Sequence, residues 1–374
     1  MVPTVKAMTA AAVVRGLRPL VDSRARASRQ PYDGDWTFPP YVGSRRFAWT
    51  HFGVFVPGLP EPLRYLNIMT LVGSTGTELF DNGTLAADDV RQNSTVLAST
   101  AAPGHHHYRA YDVAAECGFA PDGSSLTWDD DLTLTVGAHA VSVRGRFAGF
   151  SVELDLTPTD EVSYFVRTGI YDHLSLLAPY RGQITDARTG ETTAADGLAT
   201  FEYARCAGPQ SLIRRAVPRW AQLPVDFFTY QIIDLDAETQ VLLTEVLARG
   251  AVALRAVHVR VRGGRTEMLD DVDFGVHRYG PQRLDPEGRP MRIPERMRWT
   301  ARRDGATVLS IEATVHPVLR YGHGHGYAGS YDYRGTFEER DVAGIGYLEW
   351  IDLQEFPLQA ERSARSAGNR KDRR

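Results

Sequence analysis

At 374 residues the chain is long enough to hold two cores of ordinary size, and its 43% apolar and 24% charged residues are those of a globular protein. Thirty-four Gly, 21 Pro, 6 Trp, 16 Tyr and 15 Phe lean towards a turn-rich β architecture. The net charge of −4 conceals basic ends: residues 1–30 carry six basic groups against one acid and residues 361–374 carry six against two, leaving about −13 between them and excluding a folded nucleic-acid-binding face.

Residues 1–30 read as an extension with one short helix over residues 5–14. The apolar run 8–14 is too short for a secretory signal and is broken by Arg15, so a cytoplasmic location is expected. No window approaches 18 uninterrupted apolar residues, and no integral membrane segment is expected. Two strand-like runs follow, 47–56 (F-A-W-T-H-F-G-V-F-V) and 64–73 (R-Y-L-N-I-M-T-L-V-G), joined by the turn P-G-L-P-E-P into a predicted hairpin. Shorter β-type segments come at close spacing: 94–100, 107–114, 125–128, 132–136, 140–147, 150–157 and 163–168. The run 196–205 (D-G-L-A-T-F-E-Y-A-R) would close this unit. After a proline-rich linker, 209–224, the pattern restarts with paired apolar strands at 227–233 and 240–248. It continues through 252–262, 297–302, 308–316, 333–342 and 346–353, with a long polar insertion at 274–296. Each half opens on a hairpin and closes on an aromatic-flanked glutamate, the pattern of a divergent internal duplication. Many short antiparallel strands with few helical periods mean an all-β barrel or sandwich. The expected domains are residues 31–208 and 225–356, with a basic, disordered tail at 357–374.

The opening of the second half, D-F-F-T-Y-Q-I-I-D with L-L-T-E-V-L, together with S-Y-D-Y-R-G-T and V-A-G-I-G-Y-L-E-W, resembles the carotenoid 1,2-hydratase or hydroxyneurosporene synthase family. That group also takes in AttH-like proteins, lipocalin-like Diels-Alderases and fungal survival-factor-like proteins. The resemblance implies two lipocalin-like antiparallel β-barrels in tandem with short terminal extensions. Its terminal G-x-G-Y-x-E segment falls here on Gly344, Gly346, Tyr347 and Glu349. One departure matters: where hydratase-like members close the first barrel with an Asp-His-Glu-Trp-like run, this chain has Thr200, Phe201, Glu202 and Tyr203. Proton chemistry carried by that Asp and His is not open to it.

A lipocalin-like barrel of about eight strands encloses room for one small apolar ligand, and a site between two barrels has similar character. An acid in such a place is desolvated, so its pKa rises and it stays protonated near neutral pH. Glu202 beside Tyr203, and Glu349 beside Tyr347 and Trp350, have that composition. The competing reading is an ordinary cross-strand pair with one of the 40 arginines, lysine occurring only at Lys6 and Lys371. His51 in W-T-H-F, Tyr230 in F-T-Y-Q and His173 in Y-D-H-L are polar groups among apolar strand residues, either satisfied in a core or touching a ligand. Glu202, His51 and Tyr230 are the candidate catalytic residues, and Trp49, Tyr203, His173, Tyr347 and Glu349 the candidate ligand contacts.

No metal or cofactor is expected: His105, His106 and His107, and His323 with His325, lack completing carboxylates. Cys117 and Cys206 form neither a disulfide framework nor a zinc motif. Nucleophile-elbow, P-loop and dinucleotide fingerprints are absent. The expected function is a cofactor-independent hydratase, isomerase or cyclase acting on a terpenoid, polyketide or steroid-like substrate by acid/base catalysis in an apolar barrel cavity. The alternatives are a non-catalytic carrier of a hydrophobic small molecule and, more weakly, an interaction protein. The partner is thus a hydrophobic small molecule and not a nucleic acid; the sequence sets no oligomeric state.

Overall fold

The structure is a computed structural model that describes residues 22–81 and 83–354. The helix expected at 5–14 and the tail from 357 lie outside these residues. Of the N-terminal extension the described part holds one helical turn, α1 (Arg24–Ala27). No described helix is long and apolar enough to cross a membrane.

Twelve strands build the first sheet: β1 (Phe47–Val56), β2 (Leu66–Gly73), β3 (Asn93–Ser99), β4 (His106–Asp112), β5 (Cys117–Phe119), β6 (Ser125–Trp128), β7 (Leu132–Gly137), β8 (Ala140–Arg146), β9 (Phe150–Leu156), β10 (Val162–Arg167), β11 (Tyr171–Asp186) and β12 (Thr192–Ala207). The second half supplies β13 (Val225–Asp234), β14 (Thr239–Ala248), β15 (Ala251–Val261), β16 (Thr266–Leu269), β17 (Asp271–Tyr279), β18 (Arg283–Leu284), β19 (Pro290–Met291), β20 (Pro294–Arg303), β21 (Ala306–His323), β22 (Gly326–Phe337) and β23 (Arg340–Asp352). Neighbouring strands pair antiparallel. The first sheet curls in the order β4-β3-β2-β1-β12-β11-β9-β8-β7-β6-β5, with β10 against β11, and approaches a closed barrel. The second runs β16-β15-β14-β13-β23-β22-β21-β20-β17 as a half-barrel. In both, the last strand pairs with the first, β12 with β1 and β23 with β13, which is the tandem all-β architecture expected.

Strand periodicity sends alternate side chains to opposite faces. Phe52, Val54, Phe201 and Tyr203 fill the first core with Trp128 and Phe150. Ile233, Leu348 and Trp350 fill the second with Trp299 and Ile311. The opposite faces of the same strands meet in a third cluster, with Phe55, Tyr65, Met69 and Phe165 from the first sheet against Tyr230, Ile232, Leu242, Ala256 and Tyr347 from the second. This contact explains why β1 is buried on both faces. A fully buried side chain of this kind is worth ~1.5–3 kcal/mol, so a handful of them rivals the ~5–15 kcal/mol by which a domain is stable. The two sheets are held face to face by a core of their own.

Some expectations change. The stretch 274–296 is not a polar insertion: it begins inside β17, which pairs with β20, and continues through the β18–β19 hairpin. β17 is an edge strand in which Val272 alone is fully buried, so its apolar signal is weak. The strand expected to run to Ala114 stops at Asp112, whose carboxylate accepts from the Ala114 N–H at 2.9 Å and caps a helical turn, α2 (Val113–Glu116).

Candidate active site between the sheets

The centre of the first sheet is β12, flanked by β1 and β11. Their registers place residues in rows across the three strands: Phe55–Thr200–Leu177, Gly53–Glu202–Ser175, His51–Ala204–His173 and Trp49–Cys206–Tyr171. All of them lie on the face turned away from the barrel core. Glu202 is 1% exposed. The glycine and serine beside it and the alanine between the two histidines are small, which lets both imidazoles lean towards the carboxylate. His173 Nε2 lies 3.4 Å and His51 Nε2 3.9 Å from Glu202 Oε2. His51 donates its Nδ1–H to the Thr70 carbonyl at 2.7 Å, which fixes its tautomer because a carbonyl can only accept. The last row, Trp49, Cys206 and Tyr171, is half-buried and forms the solvent end of the array. Trp49 and Tyr171 pack edge to face at 5.6 Å.

The second sheet closes this face. Tyr230 on β13 donates its hydroxyl to Glu202 Oε1 at 2.5 Å. Directly across the ladder from Tyr230 stands Glu349 on β23. Tyr347 donates to Glu349 Oε1 at 2.8 Å and stacks against Phe55. Arg260 on β15 is fully buried, donating to the Ser175 carbonyl and hydroxyl at 3.0 and 3.1 Å and to Gln240.

The two carboxyls hold opposite charge states. Burial raises the pKa of Glu202, but hydrogen bonds and charge from His173 and His51 outweigh it and bring the carboxyl down to about 2. Glu349 is pushed well above the usual carboxylate range by burial and by the negative charge of Glu202, so it is neutral. Burial lowers the pKa of His173. Burial and the nearby Glu202 charge raise that of Tyr230, which keeps its proton for the carboxylate. A pair of acids whose surroundings drive their pKa values apart is the usual basis for dividing acid and base roles.

Of the residues singled out in the sequence, Glu202, His51, His173, Tyr230, Tyr347, Glu349 and Trp49 come together on the two facing sheet surfaces. Tyr203 does not: it points into the first barrel core and donates to the Pro39 carbonyl at 2.8 Å. Nor does the group sit in a barrel lumen as expected, because Glu202 and His51 are out of phase with the core residues Phe201, Tyr203 and Phe52. The expectation that both glutamates have raised pKa values holds for Glu349 and is reversed for Glu202, whose histidine neighbours are not visible in local sequence. Glu202 is engaged by imidazole and phenol rather than arginine. The three consecutive histidines diverge, His105 to Thr100 and Asp186, His106 to the Tyr321 carbonyl and His107 to Tyr111. Ser175, Thr244, which lies across the ladder from Tyr230, His258, whose ring meets Phe165, and Arg260 escaped the sequence reading. For His258 and Arg260 the alternation V-H-V-R-V at 257–261 was the available signal, two polar groups in phase on one face of an apolar strand.

Fold and cluster define a tandem β-barrel protein with a buried carboxylate–imidazole site between its sheets. The chain belongs to DUF6670, a family of unknown function whose model matches residues 69–366. In fold it is similar to kievitone hydratase from Nectria haematococca, with a TM-score of 0.51 at 10% identity over 86% of this chain and 97% of that one. It is equally similar to CghA, solved with Sch210972, with a TM-score of 0.51 at 9% identity over 88% and 96%. No curated protein matches the sequence. At these identities the likeness is one of fold.

Proposed function

We propose that this protein is a hydratase- or cyclase-like enzyme that acts on a hydrophobic small molecule of terpenoid, polyketide or steroid-like class by proton transfer between the two sheets, without a cofactor. One observation carries the reading: a neutral Glu349 and an ionised Glu202 project into the same buried layer, and Glu202 is backed by two imidazoles and a phenol. Glu349 is the proton donor to an alkene carbon or a carbonyl oxygen. His51 or His173, held against the ionised Glu202, takes the proton from attacking water or from the substrate. The side chains of His51 and His173 are 11% and 19% exposed, which gives the proton a path to solvent and back. Tyr230 holds Glu202 in place, and the Phe55, Phe165 and Tyr347 rings supply apolar walls and faces that stabilise developing positive charge. Among the described residues, Thr200 Oγ1, Thr244 Oγ1 and Arg260 Nε have no hydrogen-bond partner, which suits a substrate that carries oxygen.

The fold of kievitone hydratase and CghA supports this class of reaction, and the kinship with carotenoid 1,2-hydratase and AttH-like proteins belongs to the same reading. So does a cytoplasmic location, in keeping with the free thiols of Cys117 and Cys206.

The test is incubation with terpenoid alkenes, polyene polyketides and unsaturated steroids in ¹⁸O-labelled water, read by mass spectrometry. A product carrying the label, or an isomer of unchanged mass and altered ring count, is expected with the wild type. Glu202→Gln and Glu349→Gln should each slow it at least ~100-fold. Wild-type turnover by Glu202→Gln would overturn the assignment, and recovery of bound but unaltered compound would make the protein a carrier.

A further inference from the structure

We infer that His51, His173 and Glu202 also form a binding site for one divalent first-row transition-metal ion. The inference goes beyond the proton chemistry proposed above and needs no substrate to test.

The spacing of the three groups argues for it first. The hydrogen bond between His173 Nε2 and Glu202 Oε2 is long at 3.4 Å, beyond the usual ~2.7–3.2 Å, and His51 Nε2 stands 3.9 Å from the same oxygen. The three donor atoms all lie within 4.8 Å of one another. Around a tetrahedral ion with bonds of ~2.0–2.1 Å, neighbouring donors stand ~3.4 Å apart. The His173–Glu202 pair already has that separation, and the two imidazole nitrogens, within 4.8 Å of each other, must close by at most ~1.4 Å.

The outer partners argue for it independently. Metal-bound imidazoles and carboxylates are oriented by hydrogen bonds on their non-ligating atoms, and each donor here has one. His51 spends its Nδ1–H on the Thr70 carbonyl, which leaves Nε2, the atom facing Glu202, as the nitrogen that would ligate a metal in place of a proton. Glu202 takes the Tyr230 hydroxyl on Oε1 and leaves Oε2 to the site. Tyr171 Oη lies 3.5 Å from His173 Nδ1, placed to accept a hydrogen bond from an Nδ1–H when Nε2 carries the metal.

The scaffold supplies the third argument. The donors stand on three adjacent strands, β1, β12 and β11, and both histidines oppose the same Ala204, so backbone pairing sets their separation. Two imidazoles and one carboxylate is a donor set that suits zinc and non-haem iron, and three protein ligands leave a position open on the solvent side. Proton and metal would occupy the same atoms, so an occupied site cannot run the relay.

The experiment uses the full chain, stripped with chelator and titrated with Co²⁺ alone, then with Zn²⁺ in competition. The expected result is one equivalent of Co²⁺ with visible bands of a tetrahedral N/O site, displaced by Zn²⁺. His173→Ala and Glu202→Gln should each weaken binding at least ~100-fold and Tyr230→Phe about 10-fold, while His105→Ala, which alters a different His–Asp pair, leaves it unchanged. X-ray absorption of the wild-type Zn²⁺ complex should count two imidazoles, which keeps the test decisive if a variant fails to fold. Absence of stoichiometric Co²⁺ binding, or binding that survives both His173→Ala and Glu202→Gln, overturns the site. Loss of the metal site would leave the proton-transfer reading standing, and an active Glu202→Gln enzyme would not bear on metal binding.

Discussion

Glu349 carries a cost that pH can reveal. Its pKa in the folded chain is raised, by burial first and by Glu202 second, so the folded state holds a proton that the unfolded chain releases above about pH 4.5. Stability from this group is therefore lost as pH rises past that value. Glu349→Gln mimics the neutral acid and has no such dependence. Urea denaturation should find the variant matched to the wild type near pH 4 and more stable at pH 8 by on the order of 1–3 kcal/mol. A variant both sturdier and less active is the expected mark of a group kept for chemistry rather than packing. Glu202 behaves in the opposite sense. Its lowered pKa contributes stability above the ordinary carboxylate range that is lost as pH falls towards 2.

The central strands were legible where chemistry is local. β1, β2, β13 and β14 announce themselves by aromatic and β-branched runs, and the Pro/Gly turn between the first two marks a hairpin. The echo between Glu202 and Glu349 likewise pointed to two closing strands. What local sequence withholds is register between strands far apart in the chain: nothing near His51 says that it shares a row with His173 across Ala204. Facing was hidden for a related reason. β1 is apolar on both sides because one side meets the other sheet, so the alternation that would separate core from site is lost. Gly53 shows how closely that surface is fitted. A Cβ there would stand 2.5 Å from the Phe55 ring and 3.0 Å from His51 Nε2. Gly53→Ala should cost about 1–3 kcal/mol, measured as a lowered denaturation midpoint, and should displace His51 from Glu202. A histidine resonance that no longer responds to Glu202→Gln would report the displacement; wild-type stability and turnover would show that the row has slack.

At the scale of the whole molecule the site exists only while the sheets stay in contact, since Glu202 and its histidines stand on one and Tyr230 and Glu349 on the other. Polar clamps reinforce the apolar layer. Arg64, 4% exposed, donates to Ser330 at 2.9 Å and Asp332 at 2.8 Å, and Arg320 reaches the carbonyls of Thr100, Ala101 and Ala102. Arg64→Ala should lower the melting temperature by several degrees, the equivalent of about 2 kcal/mol. It should also lower turnover without altering either barrel core, which near-UV dichroism would report. In every ion pair of the described residues the cation is an arginine or a histidine, and both lysines of the chain fall outside residues 22–354. Amine-directed reagents therefore find no lysine in the described body: succinimide esters, aldehyde cross-linkers and enzymatic acylation can attach only beyond it. The protein can be immobilised or labelled through its ends with the buried carboxylates, imidazoles and phenols left chemically untouched.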